Sequence, residues 1–339
     1  MVCEFIMTRC ALRMVLALVT LLIIVFSVWS VLALWFQAPW GMLGRYGLVA
    51  LWLAWTLLVF WLLCSGSAWL GIAGYALAFA GLLGWWGTLT PSHERQWADD
   101  LAHITTGEVH GNLVTLHNVR NFTWYGEQDY TAAWETREYD LTQLESVDMV
   151  TSYWGMPAIA HVLVSFGFTD GKFVTFTVEV RREVAEEFSE VGGFFKQFEL
   201  AIIASDERDV VHVRTNIRGE DAYLYRVGLS KTAMRSLLLA YVKEANSLAS
   251  NPRFYQTVTA NCTTLVFTMM QSIVDGLPLD YRLLLSGYLP SYVQKMGGLE
   301  PGYPLQELRE AGRITQRAQQ AGRNDDFSMV IRQGVPGWR

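Results

Sequence analysis

Charge is what this sequence has least of. Only 17% of its 339 residues are charged, and between Met14 and Leu89 the one charged side chain is Arg45. Beyond Leu89 the composition is that of an ordinary soluble protein, so the chain reads as neither fully soluble nor a polytopic transporter. A basic excess is also missing: 26 Lys and Arg stand against 32 Asp and Glu, for a net charge of −6. That balance argues against a nucleic-acid partner. Cysteines number four, and no His, Cys, Asp or Glu cluster has metal-ligand spacing. His103, His110 and His117 recur every seven residues, but a predicted change from helix to strand between them denies them a shared face. No metal and no cofactor is expected.

What the front of the chain does have is apolar length. Met14–Phe36, Gly47–Cys64 and Ser67–Leu89 each approach the ~20 residues a helix needs to cross ~30 Å of hydrocarbon. The short turn from Cys64 to Ser67 makes a hairpin of the second and third. The first run exceeds a signal peptide's apolar region and lacks a small-residue exit, so it reads as an uncleaved anchor. Arg9 and Arg13 ahead of it favour a cytoplasmic N-terminus. Three crossings then put the rest outside the cytoplasm. The expected division is a three-helix anchor over 1–89 and a periplasmic domain over 90–339, held at a bacterial inner (cytoplasmic) membrane. Cys3 and Cys10 fall on the cytoplasmic side or at the membrane surface, and Cys64 ends a span. Cys262 alone belongs to the outer domain, where a lone thiol is conspicuous because that compartment pairs cysteines.

Periodicity in the second part predicts an α+β fold in which an antiparallel sheet packs against helices. Residues from Pro91 to about His110 read as a juxtamembrane helix and loop. Strands are expected over Leu113–Val119, Ala132–Leu141, Val147–Tyr153, Ala158–Phe168, Phe173–Arg181, Leu200–Ala204, Val210–Ile217 and Tyr223–Val227. Ser230 caps a helix running to about Leu248. A second helix, starting at Asn261 or Cys262 and apolar almost all round, reads as the central buried helix. Segments 280–296 and 306–322 read as peripheral helices, followed by a loose tail.

The hairpin around Thr169-Asp170-Gly171-Lys172 decides a register. A two-residue Asp-Gly turn would mix polar and apolar residues on both faces. A three-residue loop with Gly171 left-handed pairs Phe168 with Lys172. One face is then Val162, Val164, Phe166, Phe168, Val174, Phe176, Val178 and Val180. The other carries His161, Ser165, Thr175, Thr177 and Glu179. A one-residue slip would move a whole apolar set to the wrong face, so the second register wins. It sets Glu179 across from His161, in the place of a carboxylate that orients an imidazole.

Asn261-Cys262-Thr263-Thr264 supplies the other half. A thiol in a helix's first turn meets the dipole and free N–H groups, which favour thiolate and are placed to stabilise an oxyanion. Asn261 suits the N-cap, and Gln256 lies where an amide would complete an oxyanion hole. Residue types alone leave two readings of Cys262 open, a nucleophile or a small buried hydrophobe. The charge-dense zone containing Arg120, Arg181, Arg208 and Arg214 likewise reads either as structural ion pairs or as phosphate recognition, the former favoured.

Several stretches together resemble the Lnb N-terminal periplasmic domain family. They are His117 to Phe122, Ala160-His161 to Phe168, Val178-Glu179-Val180-Arg181-Arg182-Glu183, Asp206 to Asp209, Arg214-Thr215-Asn216, Tyr223 to Arg226, and Asn261-Cys262-Thr263-Thr264. The resemblance covers most of Trp97 to about Gly298. It implies a papain-like, NlpC/P60-type thiol fold in permuted order, with the histidine strand before the cysteine helix. It also implies Cys262 as nucleophile, His161 as base, and a role in N-acylation of bacterial lipoproteins. Where the family commonly has asparagines, this chain has Gln256 and Ala260, so one amide is kept and one lost.

The expected activity is thiol acyl transfer at the outer surface of the cytoplasmic membrane. Catalysis falls to Cys262, His161 and Glu179 with Asn261 and Gln256 in support, a membrane phospholipid is the donor, and a lipoprotein amine is the acceptor. A cell-envelope cysteine hydrolase or peptidase is the alternative, and a catalytically silent scaffold the third reading.

Overall fold

The computed structural model describes residues 2–324 and 326–338, with side chains described from Cys10 onward except Leu12. Cys3 and Arg9, on which part of the topological reading rests, lie outside the described side chains. Two compact units emerge. One holds residues 1–91 with Val191–Gln197, the other Ser92–Glu190 with Phe198–Arg339.

The first unit consists of α1 (Val2–Gln37), α2 (Gly41–Cys64) and α3 (Ala68–Thr88). Arg13–Gln37, Gly41–Cys64 and Ala68–Thr88 are each long and apolar enough to cross a membrane. Small residues let α2 and α3 approach closely: a Cβ at Gly71 would sit 3.2 Å from Leu62, and one at Gly74 3.2 Å from Trp55. Ser27 bonds the Tyr75 hydroxyl at 2.8 Å and Thr56 at 3.2 Å, tying all three helices through polar atoms hidden among apolar neighbours. The segment Val191–Gln197 belongs here as well. Phe195 stacks on Phe36 at 5.7 Å, and Lys196 Nζ donates to the Trp86 carbonyl at 2.8 Å.

The second unit is α+β. Its strands are β1 (Thr106–His110), β2 (Leu113–Arg120), β3 (Thr123–Trp124), β4 (Tyr130–Thr131), β5 (Trp134–Asp140), β6 (Leu144–Tyr153), β7 (His161–Phe168), β8 (Phe173–Arg181), β9 (Glu199–Ser205) and β10 (Asp221–Arg226). The main sheet runs β1-β2-β9-β8-β7-β6-β10, with β5 also on β2. It is mixed rather than antiparallel throughout, because β2 meets β9 in parallel at Arg120 and Ser205.

The β7–β8 hairpin takes the register that the apolar pattern demands. Phe166 pairs with Val174 and Leu163 with Thr177. Phe168 N–H donates to the Lys172 carbonyl, and Gly171 adopts φ 82°, which a side chain would resist. The apolar face packs on α5 (Lys231–Ser250), whose Leu237, Leu238, Tyr241 and Val242 are buried against Phe166, Phe176 and Val178. Ser230 caps α5 through Ala233 N–H.

The opposite face is covered too, and here several expectations fail. Val210–Ile217, read as a strand, is α4 (Glu207–His212) followed by one π-helical turn. Asp206 caps it by accepting from Arg208 N–H. A short β-branched run buried on every side carries no periodicity that separates strand from helix. The tail is not loose. After α6 (Thr264–Gln271), α7 (Leu289–Lys295), α8 (Leu305–Gly312) and α9 (Thr315–Ala321), helix α10 (Phe327–Arg332) buries Phe327, Ile331 and Arg332 against α4 and the sheet. Arg332 spans the buried carboxylates of Asp148 at 3.0 Å and Glu207 at 2.5 Å, and Glu207 also takes the Ser165 hydroxyl. Residues 91–110 hold only a 3-10 turn at Asp99–Leu101 and then β1, not a helix. Helix α6 begins at Thr264, later than expected. Leu265 and Met269 are buried on one side of it and Phe267 on the other, while Thr268 is exposed, so it is not buried all round.

Candidate active site

His161 opens β7 and faces the covered polar side of the sheet. Its Nε2 lies 2.6 Å from Thr177 Oγ1 and 3.3 Å from Glu179 Oε1. The Thr177 hydroxyl donates to Glu179 Oε1 at 2.8 Å, so it accepts from the imidazole N–H. The Cys262 thiol is the other neighbour of the imidazole, and His161 and the Val162 N–H both act to lower its pKa. Thr263 Oγ1 is 3.8 Å from the sulfur. Cys262, Cys10 and Cys64 are free thiols.

Glu179 is held from behind. Arg214 Nη2 reaches its Oε1 at 3.3 Å, while Nη1 reaches Glu220 at 3.2 Å, and Glu220 accepts from Ser152 at 2.6 Å. Burial raises the Glu179 carboxyl, but His161 first and then Arg214 outweigh it, and the group ends well below the usual carboxylate range. Burial and Arg214 push the His161 imidazolium down, yet Glu179 and the thiol prevail and raise it to about 9. Burial also opposes the Cys262 thiolate, and the hydrogen bond and charge of His161 overcome it, lowering that pKa. The three shifts point one way, to a thiolate–imidazolium pair backed by a carboxylate.

Asn261 explains the position of the sulfur. Its Oδ1 accepts from Thr263 N–H and Thr264 N–H, both at 2.8 Å, and its Nδ2 donates to the Thr257 carbonyl at 2.7 Å. These bonds close the turn that carries Cys262, and α6 follows at Thr264 with Thr263 at its N-cap, so the thiol precedes the helix. The N–H groups expected to face an oxyanion are thus committed to Asn261. Gln256 contributes through its backbone, exchanging hydrogen bonds with Ala260 at 3.2 and 2.9 Å across the loop that delivers Asn261-Cys262.

The four arginines are all engaged by the protein. Arg120 forks onto Asp209 at 2.9 and 3.2 Å, Arg181 donates to the Leu101 and Ala102 carbonyls over the Trp97 ring, Arg208 meets Asp206, and Arg214 serves Glu179. Only Arg214 joins the histidine site. Thr177 and Tyr255 escaped sequence reasoning. Thr177 was visible as a polar neighbour in the hairpin register. Burial and the nearby Cys262 and Glu179 raise the Tyr255 phenol, which keeps it neutral beside the thiol. Among the described residues no His, Cys, Asp or Glu group is arranged to hold a metal.

Residues 130–287 match the family model of the Lnb N-terminal periplasmic domain, the family whose motifs the sequence resembles. No curated protein and no solved structure matches the chain. The match takes in His161, Glu179, Gln256, Asn261 and Cys262. Together with the three apolar helices, it describes a membrane-anchored protein with a periplasmic domain.

Proposed function

With residues 130–287 in the Lnb N-terminal periplasmic domain family, we propose that this protein is a thiol acyltransferase working at the outer face of the inner membrane on a permuted papain-like scaffold. One observation carries the reading: Cys262, His161 and Glu179 converge from a turn and two strands, with shifts that favour a thiolate beside an imidazolium. The Cys262 thiolate attacks an ester carbonyl of a phospholipid. As the ester C–O bond breaks, His161 gives its proton to the departing glycerol oxygen, leaving a lysophospholipid and an acyl thioester. A lipoprotein α-amine then attacks the thioester. His161 takes the proton from the amine, an amide forms, and the thiolate returns. Glu179, Thr177 and Arg214 hold the ring and its charge. Confinement to a bilayer raises the effective concentration of both lipid-borne substrates.

The alternative uses the same residues on a peptide amide with water as acceptor, since one scaffold serves several chemistries. Full-length protein incubated with phospholipid vesicles and a diacylglyceryl-cysteine lipopeptide separates the two. Acyl transfer requires one acyl mass gained on the α-amine together with lysophospholipid release. Cleavage of peptidoglycan stem peptides without either product would replace it by the peptidase.

A further inference from the structure

Beside the thiol lies a cavity of about 410 Å³. Its wall begins at Val162, the residue after His161, and at Thr263, whose Oγ1 lies 3.8 Å from the Cys262 sulfur. From there it takes in Val266 and Met270 on α6, Ile273 in the turn after it, and Met296. The spacing of four residues keeps Val266 and Met270 on one face of α6, and Ile273 follows in the turn beyond its end. At 1.5 Å of rise per residue, the eight residues of α6 span about 12 Å.

Among the described residues that line it, none is charged. A stem peptide seated there would strand its amides and carboxylates without partners, at a cost of several kcal/mol. An unbranched hydrocarbon loses nothing polar on entry. Methionines on the wall suit a chain that must slide and bend. A methylene fills about the volume of a water molecule in the liquid, ~30 Å³, so the space holds about a dozen carbons.

We propose that this cavity is the acyl-chain subsite, taking a single unbranched chain of about twelve carbons with its carbonyl at Cys262 and its methyl end near Ile273. The inference rests on the acyl-transfer reading for the identity of the chain. It adds that α6 sets chain length and that Ile273 marks the far end.

The test needs only a nucleophilic thiol. Full-length protein in detergent is alkylated with N-alkyl iodoacetamides from ethyl to hexadecyl, where the thiolate displaces iodide, and labelling of Cys262 is timed by mass spectrometry. The rate should climb by up to about fourfold per methylene to roughly twelve carbons and then level. In Ile273→Trp, and further in Met270→Trp, levelling should come at shorter chains, and the dodecyl-to-ethyl ratio should fall at least tenfold. Partition into detergent is common to all variants and cancels in that comparison. Circular dichroism confirms that each variant is folded. A wild-type rate indifferent to chain length, or ratios within twofold of wild type in both folded variants, would overturn the subsite. A normal chain-length series in a protein that never takes an acyl group from phospholipid would sustain it and overturn acyl transfer.

Discussion

Glu179 Oε1 lies 3.3 Å from His161 Nε2, and the same oxygen receives the Thr177 hydroxyl at 2.8 Å and Arg214 at 3.3 Å. One carboxylate oxygen therefore both balances the imidazolium and is itself balanced by an arginine. Without Glu179, only Glu220 would offset Arg214, whose charge would then drive the ring toward its neutral form.

Glu179→Gln should therefore lower the His161 pKa from about 9 to or below its ordinary 6.5. Without an imidazolium beside it, Cys262 should lose thiolate. The rate of its alkylation at pH 7 is expected to fall about tenfold, one unit of thiolate pKa. An unchanged pH–alkylation profile in the folded variant would remove Glu179 from the site.

Thr177→Val deletes the relay between His161 and Glu179 but keeps both charges. Acyl transfer should slow severalfold through kcat, with KM little changed and the pH profile close to wild type. A loss as large as that of Glu179→Gln would mean that the hydroxyl, and not the charge, governs the histidine.

Stability should carry the same signature. The folded pKa of His161 is raised above 6.5, so its contribution is complete below pH 6.5 and is lost as pH rises through about 9. Glu179 is depressed, so its contribution holds above its ordinary 4.5 and disappears as pH falls toward its folded value. Denaturant melts at pH 6 and pH 9.5 should show the wild-type advantage over His161→Gln shrinking by roughly 2–3 kcal/mol. An advantage that grew with pH would contradict the charged pair.

The C-terminal helix supplies a separate test. Arg332 is fully buried between Asp148 and Glu207. Arg332→Met leaves the buried Glu207 without its cation and Asp148 with Arg226 alone, and the domain should lose about 3–5 kcal/mol, read by chemical denaturation. A chain ending before Phe327 should fold no better. Wild-type stability in both would mean that the tail is dispensable.

That helix also marks where the sequence stopped being legible. The hairpin register was readable because a slip would have exposed Val162 to Val178, and it carried His161, Thr177 and Glu179 into one cluster. The three apolar helices were readable from length alone. The cover over the polar face was not, because it arises from partners far apart in sequence. Ser165 and Asp148 find Glu207 and Arg332 only once the chain has folded, and α10 has no long apolar stripe to announce that it will be buried. Val210–Ile217 misled for a related reason, since a β-branched run buried on all sides looks the same in either conformation. At Cys262 the residue types were readable. The start of α6 two residues later was not, because an asparagine at 261 would equally cap a helix beginning at Cys262.

The central claim is that Cys262 carries an acyl group. Intact-mass and peptide spectrometry of the full-length protein, purified from membranes in detergent, tests it directly. Wild type should show a fatty-acyl mass on the Cys262 peptide that neutral hydroxylamine removes, and Cys262→Ser should show no hydroxylamine-labile mass. A bare Cys262 after incubation with phospholipid, in a protein whose thiol still alkylates rapidly at pH 7, would contradict the account.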